Sequence, residues 1–202
     1  MIEVPYRTSG GCSWVPIESY LLSTRSIFIN KKITAETADL FVQKLLYLIR
    51  EDEEGGIDIY IDSPGGEVTA GLLIYDMLKS LPAECRVTCT CTGMASSMAA
   101  IILAGGPRGN RFILPHSMVM IHEPLIQGGV GGSATSVQKT AESIMNTKRH
   151  IAGLLSADTG KSIEEVEAAI SFDNYMRAEE ALSFGIVDQI IPSILSMNSI
   201  KQ

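Results

Sequence analysis

The sequence predicts an α/β fold with parallel strands, and three observations carry that prediction. Between Ser26 and Ala104 a strand pattern, a turn and a helix pattern follow one another repeatedly. The strand patterns are short apolar runs, whereas the helix patterns space their apolar residues by three and four. The composition, 46% hydrophobic and 19% charged over 202 residues, is that of a core-rich chain long enough for one compact domain.

Taken in order, the polar, glycine-containing segment Met1 to Trp14 lacks the apolar stretch of a signal peptide. Ser26 to Ile29 reads as a strand, and Thr34 is placed to cap a helix bearing Leu40, Phe41, Leu45 and Leu48. The acidic turn Glu51 to Gly56 leads to a second strand, Ile57 to Ile61, then to Ser63-Pro64-Gly65-Gly66 and a helix bearing Val68, Leu72, Tyr75 and Leu78. Val87 to Cys91 is a third strand, from which Gly93 to Ala100 is expected to turn sharply into a helix of small residues. Met118 to Ile121 is a fourth strand ending at His122-Glu123-Pro124. Beyond the glycine-rich stretch Gly128 to Gly132, Ala134 to Leu155 has helical periodicity without proline, long enough to project from the body. Ser162 to Ile170 and Ala178 to Phe184 read as short helices and Val187 to Ile191 as a last strand. No internal repeat or low-complexity linker divides the chain.

A formal charge of −7 without any basic run argues against nucleic acid and anionic membranes as partners. The longest apolar stretch, Met98 to Ala104, falls far short of the roughly 20 residues that cross a bilayer. Cys12, Cys85, Cys89 and Cys91 form neither a Cys-x-x-Cys pair nor a second ligand cluster, so they are expected to be reduced thiols, with no metal and no cofactor. A cytoplasmic protein is the expectation.

In parallel α/β folds, functional groups collect where strands end and loops turn into helices. Ser96 or Ser97 sits at such an end, where a hydroxyl can be exposed for nucleophilic attack, although either could equally be a helix cap. His122 leaves a strand at the same edge and could take a proton or merely satisfy a loop; His116 and His150 are weaker candidates. Asp173 precedes a helix and could orient a histidine or close a turn. The backbone N–H groups of Gly65-Gly66 could bind an oxyanion.

Together, Ser63-Pro64-Gly65-Gly66, Gly93-Met94-Ala95-Ser96-Ser97-Met98-Ala99, Met120-Ile121-His122-Glu123-Pro124 and Ala178-Glu179-Glu180-Ala181 to Gly185-Ile186-Val187-Asp188 resemble the proteolytic subunit of the Clp protease, ClpP. The resemblance runs from about Tyr20 to Ile191. It implies a serine peptidase with Ser97 as nucleophile, chosen over Ser96 because the family's serine precedes methionine, His122 as base and Asp173 as orienting group. The implied oxyanion donors are the N–H groups of Gly66 and Met98. It also implies a crotonase-like α/β core of repeated β-β-α and βα units. Residues 1–19 would form an axial arm, 20–124 and 156–192 the head, 125–155 a handle made of a long helix and a glycine-rich strand, and 193–202 a tail. Two stacked heptameric rings, a tetradecamer, would enclose a chamber where unfolded proteins, fed by an AAA+ unfoldase, are cleaved in protein quality control.

The chain departs from that pattern at Glu123, where the family has glutamine, and at Phe172, where it has arginine. The unfoldase pocket of the family maps onto Asp58, Tyr60, Ser80, Thr90, Thr92, Phe112 and Leu114. Several of these are polar, so weakened docking and reliance on a paralogous ring or a dedicated partner are expected. Two other readings remain: a crotonase-type acyl-CoA enzyme, and a non-catalytic ring subunit that assembles with an active paralogue.

Overall fold

The computed structural model describes residues 2–8, 10–82, 84–126 and 128–195. Most of the expected tail lies outside them. The chain opens with an antiparallel hairpin, β1 (Glu3–Thr8) and β2 (Gly11–Pro16), followed by α1 (Ile17–Ser23). None of the three elements is legible in the sequence, because no described residue of the hairpin or of α1 is fully buried and none of them displays a core-facing period.

The next units alternate as expected: β3 (Ser26–Ile29), α2 (Ala35–Glu51), β4 (Ile57–Ser63), α3 (Val68–Lys79), β5 (Val87–Ser96) and α4 (Met98–Ala104). Thr34 caps α2 by accepting from the Thr37 N–H, and the Thr37 side chain closes the reciprocal bond of a capping box. The buried face of α2 is Ala38, Phe41, Leu45 and Leu48; Leu40, assigned to that face from its spacing, is exposed. Strands β3, β4 and β5 run parallel, and Ile57, Ile59 and Ile61 alternate into the core. Cys89 and Cys91 share that side; burial pushes both thiols up to about 12, which keeps them protonated and inert.

The third step differs from the expectation in one respect. β5 runs through Gly93 to Ser96, so the sharp turn falls at Ser97. Between the pairs Ile61–Cys91 and Ser63–Ala95 the register slips, and Asp62 fills the gap by accepting from the Met94 N–H at 2.9 Å. Gly93 is needed there because a Cβ would lie 2.5 Å from Asp62 Oδ1.

The chain continues with β6 (Arg111–Ile113), β7 (Met118–Ile121), α5 (Ala134–Thr159), α6 (Ile163–Ile170), β8 (Asn174–Arg177), α7 (Ala178–Phe184) and β9 (Gln189–Ile190). The three-residue β6 is too short to leave a period in the sequence, and β8 buries only Met176 among polar neighbours, so it shows no apolar run. β5 forks the sheet: its first half pairs with β6 and its second half with β7, both parallel, and β7 takes β8 antiparallel. No strand forms among the described residues of 122–133, unlike the glycine-rich strand expected there; within one chain this segment has no neighbouring ladder to join.

α5 is four residues longer than expected and ends where Gly160 takes a left-handed conformation. All its buried residues, Ile151, Ala152, Leu155 and Asp158, lie toward that end; the turns before Ile151 bury none. A charged network fixes the buried end. Asp158 accepts from Tyr75 Oη at 2.9 Å and Lys79 Nζ at 2.6 Å, while Arg111 donates to the carbonyls of Ala104 and Asp158 and pairs with Asp188 through Nε and NH2. No helix among the described residues is long and apolar enough to cross a membrane.

Burial pushes the Asp188 carboxyl up, but the hydrogen bonds and charge of Arg111 outweigh it and hold its pKa below the ordinary carboxylate value. A depressed folded-state pKa contributes stability that is present above the unfolded value, roughly 4, and is lost as pH falls through the folded one. Asp188→Asn should therefore cost about 3 kcal/mol at neutral pH, because it strands the buried Arg111, and should flatten the fall in urea midpoint between about pH 5 and 3. An unchanged acid limb in urea titrations of the variant would assign the acid sensitivity to other carboxylates.

Candidate active site

Ser97 is the residue between the end of β5 and the first turn of α4, and it adopts φ 55°, ψ −124°. A positive φ at a non-glycine residue stores strain, on the order of 1–3 kcal/mol, and such residues gather where a side chain must be aimed. Ser97 holds the N-cap position of α4, but its side chain makes no capping hydrogen bond. Its Oγ lies 2.8 Å from His122 Nε2, just past the end of β7, whose register places Met120 opposite Ser96. The two serines of the motif are thereby separated: Ser96 is buried and its Oγ has no hydrogen-bond partner among the described residues, whereas Ser97 meets the histidine. His116 and His150 are exposed elsewhere.

Asp173 stands across from the other ring nitrogen, and β7–β8 pairing puts it there, since Ile121 pairs with Asn174. Its Oδ1 is 3.8 Å from His122 Nδ1, beyond hydrogen-bonding distance, and that nitrogen is buried without a partner. The histidine side chain is 13% exposed and the aspartate 60%, so the carboxylate is free to move relative to the ring. Phe172, beside it, is 84% exposed.

The Ser63–Gly66 turn packs against this corner at backbone distance. Gly65 has φ 83°, and a Cβ there would collide with the Ser96 carbonyl and lie 2.7 Å from Ser97 Cβ and 3.0 Å from Met98 N. A Cβ on Gly66 would run into the Ile33 carbonyl. The surrounding amides are occupied: Gly65 N–H donates to Ser63 Oγ at 3.1 Å, Glu67 N–H to Ile33 O at 2.9 Å and Ser97 N–H to Met120 O at 2.8 Å. Gly66 and Met98, next to these residues in sequence, line the same cleft as Ser97.

A cleft of about 550 Å³ unites these parts. Ser97, His122 and Asp173 line it with Gly66 and Met98, and Val68, Ile101, Leu125 and Ile151 give it an apolar wall. Lys32, which the sequence reading does not single out, and Ile151, which it reads only as an apolar position of the long helix, reach the cleft through the packing of segments distant from Ser97; Glu67 follows directly on the Gly65-Gly66 turn. Glu123 points to α5, where its carboxylate receives Lys148 Nζ at 2.6 Å. Among the described residues no group of histidine, cysteine or carboxylate side chains is arranged to hold a metal ion.

The positions mapped to the unfoldase pocket divide on folding. Thr90 and Phe112, mapped to that pocket by the resemblance, are buried within the chain, Phe112 packing with Ile191 and Leu114. Asp58, Tyr60, Thr92 and Leu114 are partly exposed and Ser80 is exposed, and the Tyr60 ring stacks on Phe28 at 5.0 Å.

Known proteins resemble the chain over nearly its whole length. The family model described as Clp protease matches residues 9–193. The ATP-dependent Clp protease proteolytic subunit 1 of Gloeobacter violaceus is 41% identical over 190 residues, covering 94% of each chain. The ATP-dependent Clp protease proteolytic subunit 2 of Chlamydia pneumoniae is 40% identical over 201 residues, 98% of this chain and 97% of the relative. The corresponding subunit 2 of Chlamydia trachomatis serovar D is 40% identical over 196 residues, 96% of this chain and 95% of the relative. With a Ser–His pair at the end of a forked parallel sheet and this similarity along the whole chain, the protein belongs to the Clp protease family.

Proposed function

We propose that the chain is a serine endopeptidase subunit that cleaves unfolded polypeptides. The observation that carries this reading is the 2.8 Å contact between Ser97 Oγ and His122 Nε2 at a strained turn. Ser97 Oγ attacks the peptide carbonyl while His122 Nε2 takes its proton, and the N–H groups of Gly66 and Met98 receive the oxyanion. His122 then protonates the leaving amine, and water, activated by the same nitrogen, releases the acyl group. Asp173 orients the imidazole once the 3.8 Å separation closes by about 1 Å to a hydrogen bond. No cofactor enters this chemistry. The acyl-CoA reading is not favoured, because crotonase-type chemistry on an acyl thioester does not require a serine held against a histidine.

The same reading extends to assembly. Val137 and Met145 leave apolar surface on the projecting half of α5, Met145 being 46% exposed, which supports a handle that packs against another ring in a closed double-heptamer. The relatives' names contain the words "ATP-dependent" and "proteolytic subunit", which supports an AAA+ ATPase as the partner that supplies unfolded chains. The relatives are numbered subunits 1 and 2, which supports a ring completed by a paralogue. Buried thiols, acidic charge and the lack of a spanning helix among the described residues support placement in the cytoplasm.

A serine-directed fluorophosphonate should label Ser97. Ser97→Ala should lower short-peptide hydrolysis by several orders of magnitude, and Ser97→Ala with His122→Ala should be little worse than either alone. Retained activity in Ser97→Ala together with loss in Ser96→Ala would move the nucleophile to Ser96.

Met145→Asp should shift the particle to single rings or smaller species in light scattering, since it buries an unpaired charge at the proposed contact. A folded monomer of the parent protein at micromolar concentration would rule that contact out.

For the unfoldase, polar Asp58 and Thr92 beside the Phe28–Tyr60 stack support weak docking by homomeric rings. Asp58→Tyr with Thr92→Met should tighten binding of a standard Clp ATPase by an order of magnitude or more through seven-fold avidity. Tight binding by the parent homomer with no gain in the variant would overturn it.

A further inference from the structure

The residue following His122 ties two distant parts of the chain together. The Glu123 N–H donates to the Ile170 carbonyl at 2.8 Å, three residues before Asp173. Its carboxylate receives Lys148 Nζ at 2.6 Å from α5. On the far side of Asp173, Asn174 is held opposite Ile121 by the β7–β8 ladder. His122 and Asp173 therefore lie between two anchors, and only the one at Glu123 reaches α5.

Little else governs their separation. Ser171, Phe172 and Asp173 are all exposed, and the Asp173 carboxylate stands 3.8 Å from a ring nitrogen that has no partner. Lys148 occupies the place on α5 where the helix changes character: Ile151, Ala152 and Leu155 beyond it are in the core, while no residue before it is buried. The ion pair thus links Glu123 to the place where α5 leaves the core. The Lys148 side chain is 21% exposed and that of Glu123 41%, so the pair is partly screened and contributes little to global stability. Position is more demanding than stability, because a displacement of about 1 Å in a reacting constellation can cost on the order of a hundredfold in rate.

We propose that Glu123 is a positioning residue, and that its ion pair with Lys148 sets the His122–Asp173 spacing from the placement of α5. The effect on rate rests on the peptidase reading; the effect on structure does not.

The test uses the assembled full chain and two readouts: kcat and KM on a short fluorogenic peptide, and amide hydrogen exchange of segments containing Glu123 and Asp173. Glu123→Ala and Lys148→Ala should each lower kcat roughly tenfold or more with KM within about twofold, should speed exchange in both segments, and should be no worse combined. Lys148→Arg, which keeps the charge, should retain parental kcat and exchange. Parental kcat and exchange in both alanine variants would overturn the proposal, as would a Lys148→Arg variant that falls as far as Lys148→Ala. Failure of fluorophosphonate to label Ser97 in the parent, with exchange responding as expected, would sink the peptidase reading and leave the clasp standing. Labelling without any response to the substitutions would sink the clasp alone.

Discussion

The structure depends on one close approach of backbone to backbone. The Gly65–Gly66 turn lies so near the Ile33 carbonyl on one side and the Ser96–Met98 turn on the other that a carbon added to Gly66 would collide with the first and one added to Gly65 with the second. Ile33 and Gly66 form an isolated parallel bridge, which ties the loop after β3 to the loop after β4, and Gly65 then presses on the residue that links β5 to α4. Three successive strand-to-helix junctions are thereby drawn to one corner. The strained conformation of Ser97 persists because its N–H is taken by Met120 and its neighbours are confined by these contacts.

The fork in β5 extends that corner toward the histidine. A simple parallel sheet would have kept β5 on one neighbour throughout. The slip filled by Asp62 lets the strand's first half pair with β6 and its second half with β7, so His122 emerges beside Ser97 and not a strand away. β7 in turn recruits β8 antiparallel, which brings Asp173 opposite His122 although they are distant in sequence. Nucleophile and base are thus set by rigid elements, while the carboxylate is set by an exposed turn, and this difference in support accounts for one distance of 2.8 Å and another of 3.8 Å.

A second centre of order lies at the buried end of α5. Asp158 and Asp188 satisfy Lys79, Tyr75 and Arg111 there, joining α3, α4, α5 and β6 through charge-assisted bonds in a largely desolvated space. The other end of the same helix bears apolar side chains, Val137 and Met145, that stay exposed in the single chain. One helix is therefore fixed at its root and free for partners at its tip, with Lys148 and Glu123 at the boundary.

By itself the sequence determined what depends on local periods and local chemistry. The β-strand/α-helix alternation was legible because each strand and helix shows its buried face as a repeat, and Ser97 and His122 because they stand in motifs at the ends of such elements. The tertiary structure decided what depends on separation in space. It placed Ser97 and not Ser96 against His122, left Asp173 short of a hydrogen bond, buried Thr90 and Phe112, and paired Glu123 with a lysine 25 residues away. The hairpin before α1, the three-residue β6 and β8 with its single buried residue stayed hidden for the same reason, since such strands are defined by their partners and carry no period of their own.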